Sequence, residues 1–185
     1  MGSDQMSQVA RAKETLNRIL QSPERRERQA EEDAERRKPE AHFHVAESYY
    51  VSARRLRTHE EAGHSNSAVR LLYYTALELY LKAFLRFQGL STAQLARREL
   101  GHRYCCLLER ARKHGLAVDD EDIEVLCFLS YSEERERSRY IETGFVRWID
   151  LDALDRTCMS MRMSVCRALQ EANLPVRLHE TPQIK

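Results

Sequence analysis

The stretch SAVRLLYYTALELYLKAFLRFQG, Ser67 to Gly89, decides how the rest of the chain is read. On a 3.6-residue wheel Leu71, Leu72, Leu77, Leu79, Leu81, Phe84, Leu85 and Phe87 go right round. Polar residues are confined mainly to Arg70, Thr75, Glu78, Lys82 and Arg86. A helix apolar on nearly every side has to be covered by other helices. Gly63, Ser65 and Ser67 suit a turn and an N-cap before it, and Gly89 is placed to end it in a left-handed cap. Glu78 stands one turn before Lys82 and can pair with it, so a polar seam runs along an otherwise buried helix. Such a seam needs partners or an opening to water.

Outward from this helix, the composition suits one domain with room for a core. The 185 residues hold 6 Gly and 4 Pro, few for a many-stranded protein with tight turns. Charged residues make up 32%, yet the formal net charge is +1, which argues against a binder that works through the charge of its whole surface. Attraction for nucleic acid must then come from local patches. No apolar run approaches a membrane span, no signal-peptide pattern follows Met1, and the 5 Cys lack metal-site spacing. The expectation is a reduced cytoplasmic protein without membrane association, metal or cofactor.

Residues 1–40 read as a charged helical arm. A modest apolar line through Val9, Ala12, Leu16, Ile19 and Leu20 gives way to PERRERQAEEDAERRKPE, which favours helix but offers nothing to bury, and Pro39 is placed to end it. Residues 41–174 read as the bundle. Its first helix, Ala41 to Ala62, sets Phe43, Val45, Ala46, Tyr49, Tyr50, Ala53 and Leu56 on one face and Arg54, Arg55 and Arg57 on the other. Ser91 caps a short helical turn, and His102 to His114 forms a further helix with a basic surface. The acidic run Asp119 to Asp122 complements the N-terminus of the next. Asp150 or Asp152 opens the last, where Leu151, Leu154, Cys158, Met161, Val165 and Leu169 recur at helical spacing before Asn173 and Pro175 close it. Residues 175–185 read as a loose tail. The fold class is all-α, an up-and-down bundle of about five main helices.

Ala76-Leu-Glu78-Leu-Tyr-Leu-Lys82-Ala-Phe-Leu85, Gly89 soon after, Gly101-His102 before Leu107-Leu108, and Arg139-Tyr140 beyond Tyr131 together resemble the HEPN domain, the higher eukaryotes and prokaryotes nucleotide-binding family. The resemblance spans roughly Ala41 to Asn173. It implies an up-and-down helical bundle that often forms homodimers. It also implies either a metal-independent ribonuclease or a non-catalytic relative that binds nucleotide, RNA or a protein, often beside a nucleotidyltransferase in a toxin–antitoxin pair. The ribonuclease motif of that family is an arginine followed four to six residues later by a histidine near the start of a late helix. Arg139 holds the late position, and no histidine follows it before His179.

Arg97 and His102 satisfy the bare spacing at an earlier place and are the catalytic candidates, since histidine can move a proton and arginine can neutralise phosphate charge. The candidate nucleotide or RNA contacts are Lys82, Arg86, Arg97, Arg98, His102, Arg103, Arg139 and Tyr140. The plainer alternatives are that His102 bonds a nearby backbone group or carboxylate, and that Arg139 ties its loop to Glu78 or another bundle carboxylate. His42 and His44 flank Phe43 without companion ligands for a metal. Met159, Met161 and Met163, with Cys158 and Cys166, read as a plastic helix surface that could serve a dimer.

Overall fold

Residues 38–58, 66–97, 99–132 and 148–184 are described by the structure, a computed structural model. Among them are six helices and no strand: α1 (Pro39–Arg57), α2 (Ser67–Phe87), α3 (Thr92–Leu95), α4 (Tyr104–Lys113), α5 (Asp120–Ser132) and α6 (Leu151–Glu171). The charged arm lies outside the described residues. No helix among them is long and apolar enough to cross a membrane.

α2 is the central helix that its sequence demands. Val69, Tyr73, Tyr74, Ala76, Leu77, Tyr80, Leu81, Ala83 and Leu85 are fully buried, and α1, α4 and α6 all pack on it. Its end is set by Gly89, whose φ of 89° places the Leu90 amide 3.1 Å from the Leu85 carbonyl. α4 ends the same way at Gly115, with Leu116 bonded to Ala111, and α6 at Asn173, with Leu174 bonded to Leu169. In each case a leucine follows the left-handed residue and folds back on the core, the Schellman pattern. At the other ends, Ser91 and Gln94 form a capping box on α3, and the Asp150 carboxylate caps α6 through the Asp152 and Ala153 amides.

The helix directions depart from strict up-and-down alternation. α1 runs against α2, since Phe43 lies beside Tyr80 and Tyr50 beside Tyr73. α4 runs with α2: the Tyr104 hydroxyl donates to the Tyr74 carbonyl at 3.1 Å, while His114 and Gly115 reach Phe84, Phe87 and Gln88. The 88–103 connection, which contains α3, therefore retraces about 20 Å of α2 at the helical rise before α4 begins. Several boundaries also differ from the sequence reading. α1 starts at Pro39, not Ala41, as the fixed φ of proline suits a first turn; Asn66, not Ser65 or Ser67, is the N-cap of α2; α4 starts at Tyr104, not His102. Val45 and Tyr49 are 47% and 37% exposed, whereas Met161, Cys158 and Cys166 are core residues, not a surface.

Beneath α1 lies a buried ion pair that links four parts of the chain. Glu47 is fully buried; its Oε1 accepts from Arg162 Nε at 2.7 Å and from the Tyr80 hydroxyl at 2.6 Å, and its Oε2 from Arg162 Nη2 at 2.7 Å and from the His179 amide at 2.8 Å. Arg162 Nη2 also donates to the His179 carbonyl, and the guanidinium lies 5.4 Å from the Tyr50 ring centroid. Burial pushes the Glu47 carboxyl up, but the hydrogen bonds from Arg162, the His179 amide and Tyr80 more than reverse it and leave it below its ordinary 4.5. Burial pushes Arg162 down and its bond to Glu47 returns it above its ordinary value, so both groups stay charged.

The segment after α6 is consequently no loose tail. It has no regular structure, yet Val176 is buried, His44 Nε2 lies 3.4 Å from the Pro175 carbonyl, and Arg54 donates to Thr181 Oγ1 at 3.1 Å. Arg54 also meets Asp155 at 3.4 Å, and Arg57 bonds the Leu151 carbonyl and Asp152. The arginines expected on the solvent face of α1 therefore point between helices, with the exception of Arg55, which is exposed.

Replacing Glu47 or Arg162 by alanine is expected to lower unfolding free energy by about 3–5 kcal/mol in urea titrations, with the double variant losing little more than either single one. The folded Glu47 carboxyl is depressed, so its contribution is complete above pH 4.5 and is lost as pH falls through its lower folded value. Glu47→Gln should therefore show a flatter stability profile below pH 4.5 than the parent chain, measured by thermal melts across that range.

Candidate functional site

The polar seam of α2 closes on its own carboxylate. Glu78 is 5% exposed; Lys82, one turn on, donates to its Oε1 at 2.6 Å, and the Lys82 side chain is itself only 13% exposed. A carboxylate this deep requires a charged partner, and Lys82 reaches it at the favourable i,i+4 spacing.

His102 reaches the same carboxylate from outside α2. After α3, the Arg97 carbonyl accepts from the Leu100 and Gly101 amides, and the Arg103 amide returns to the Leu100 carbonyl, so the chain folds into a tight turn. The buried Tyr104 then anchors α4 on α2. Held between these points, His102 Nδ1 lies 3.0 Å and 2.9 Å from Glu78 Oε1 and Oε2. A carboxylate only accepts, so Nδ1 carries the proton and donates, leaving Nε2 as the free polar atom of a side chain that is 60% exposed. Bonding to a nearby carboxylate is the plainer of the two roles foreseen for His102.

The remaining cations are spread out. Arg86 donates to the Leu90 carbonyl at the far end of α2. Burial pushes His42 of α1 below its ordinary value; the Lys38 carbonyl opposes this, and the nearby Arg86 and Lys82 charges add to it, so positive charge gathers where α1 starts beside α2. Arg97 and Arg103 are exposed at either side of His102 in the chain. Arg98, Arg139 and Tyr140 lie outside the described residues. Lys82 and His102 are thus the two candidates that the fold brings onto one group, and Glu78 is that group. Among the described residues no three His, Cys, Asp or Glu side chains are grouped to hold a metal ion.

Chemically, a carboxylate-held imidazole can accept a hydrogen bond at Nε2, and exposed arginines near it in the chain can attract phosphate. Lys82, Arg97, His102 and Arg103 line neither the cleft of about 360 Å³ at the ends of α2, α4 and α6 nor that of about 500 Å³ beside α1. The sequence reading passed over Glu47, Arg162 and Asp155. The signal was the run of tyrosines on buried faces, because each buried hydroxyl needs an acceptor: Tyr80 finds Glu47, and Tyr73 finds Asp155 at 2.9 Å.

Glu78→Gln is expected to destabilise the fold by about 2–3 kcal/mol, since it leaves the half-hidden Lys82 ammonium without its counter-charge. Adding Lys82→Met should recover most of that loss in the same denaturation experiment. Compared with family models, with curated proteins and with solved structures, the chain gives no match.

Proposed function

We propose that this chain is a HEPN-like helical module that binds single-stranded RNA or a nucleotide at the His102 edge and does not cleave it. The observation that carries the reading is the His102 ring, fixed through Nδ1 by Glu78 and 60% exposed, with the unburied Arg97 and Arg103 before and after it in the chain. A fixed ring can bond a phosphodiester at little entropic loss, and exposed arginines close to it in the chain can add charge-assisted bonds. The exposure of Arg97, His102 and Arg103 suits a nucleic-acid backbone laid across the surface. Arg139 and Tyr140 are retained as further contacts on the sequence pattern.

A second reading is a protein-interaction module, a homodimer or the partner of a nucleotidyltransferase in a toxin–antitoxin pair. It is favoured by Lys82, whose charge is spent on Glu78, and by Val45 and Tyr49, apolar and exposed one turn apart on α1.

The test is binding of labelled single-stranded RNA and of ATP at low and physiological salt, with RNA length followed on a gel. For RNA, log K should fall with log salt at a slope of roughly −0.7 per phosphate contacted. His102→Ala and Arg103→Ala should each weaken binding about fivefold, the loss of one charge-assisted bond. Shortening of RNA that His102→Ala or Arg97→Ala abolishes would instead establish a ribonuclease, and absence of binding to either ligand would favour the protein partner.

A further inference from the structure

The C-terminal strap and the outer face of α1 enclose a cleft of about 500 Å³, within the usual size of small-ligand sites. It is separate from the His102 edge, and its far wall is irregular chain that the fold goes to unusual lengths to hold. His179 in that wall has its amide on Glu47 and its carbonyl on Arg162; the strap is also fastened before the cleft, where His44 meets the Pro175 carbonyl, and after it, where Arg54 meets Thr181. A fully buried ion pair is a poor source of net stability but an effective device for fixing position. Here it fixes the strap.

What the cleft presents is chemically specific. Arg55 projects from α1 and Arg177 from the strap, so guanidiniums come from both walls; both are exposed, and neither has a partner among the described residues. Ser48 and Ser52, one turn apart on α1, add hydroxyls, and Ser48 donates to the His44 carbonyl at 3.0 Å, which leaves its oxygen as an acceptor. Val51 and Leu178 supply apolar surface. Glu180 on the same wall offsets one of the two cations. Two guanidiniums from opposite sides suit a phosphate or a carboxylate, and phosphate has the oxygens to engage both at once. The single net positive charge suits one anionic group and disfavours a polyanion.

We propose that this cleft binds a small phosphomonoester, its phosphate between Arg55 and Arg177 and its apolar body on Val51 and Leu178. The site is independent of the RNA contacts proposed at His102.

Phenyl phosphate is the probe, titrated calorimetrically into the full chain beside inorganic phosphate and phenol. The expected result is saturable binding at one site with a Kd of roughly 1 mM or tighter, stronger than for either fragment. Arg55→Ala and Arg177→Ala should each weaken it about tenfold while melting at the parent temperature, since both side chains are exposed. Arg103→Ala should leave it unchanged, and single-stranded RNA should not displace it. Absence of saturation, binding indifferent to both arginine substitutions, or displacement by RNA with loss in Arg103→Ala would each overturn the assignment.

Discussion

The Glu47–Arg162 pair is the constraint on which the rest of the bundle depends. Hydrophobic burial alone brings α1 and α6 against α2, yet it does not fix how the strap after α6 lies across α1. The ion pair does, because Glu47 distributes its four hydrogen bonds among α6, α2 and the strap. A carboxylate removed from water tolerates few alternatives, and any slip of one element leaves a buried charge or hydroxyl unsatisfied.

The same physics repeats at smaller scale along α2. Tyr73 and Tyr80 place hydroxyls inside the core, where Asp155 and Glu47 accept them, and the Tyr74 carbonyl of α2 in turn accepts from the Tyr104 hydroxyl of α4. Glu78 repeats the arrangement nearer the surface, where one carboxylate holds an ammonium and an imidazole. The difference in depth is what separates the two: Glu47 is sealed and organises structure, whereas Glu78 leaves His102 open to solvent. The proposed functional edge therefore grows out of a device that the core already uses.

Much of the fold was legible because it is local. Gly89 reads as a cap, Ser91 as the cap of a short turn, Asp150 or Asp152 as the start of the last helix, and Leu151, Leu154, Cys158, Met161, Val165 and Leu169 as its apolar line; Gly89, Ser91 and Asp150 are so placed, and all of the line but the half-buried Leu151 is in the core. The Glu78–Lys82 pair was legible for the same reason, an interaction across a single turn. Arg54 and Arg57 were misread because a helical wheel sorts by hydropathy, and a cation paired between helices is indistinguishable there from one in water. Val45 and Tyr49 were misread in the opposite sense: apolar character does not require burial when the covering elements lie to one side.

By itself the sequence determined the all-α class, the central position of α2 and the caps at Gly89, Ser91 and Asp150, since these follow from periodicity and backbone chemistry within a few residues. Tertiary structure alone decided that α4 runs with α2, that the terminal segment is a fastened strap, and that Glu47 meets Arg162 and Glu78 meets His102. Those contacts join residues 24 to 132 positions apart. Nothing in local pattern encodes such pairings; they form because burying the apolar faces brings polar groups together, and the combinations that leave no charge unmet are the ones that persist.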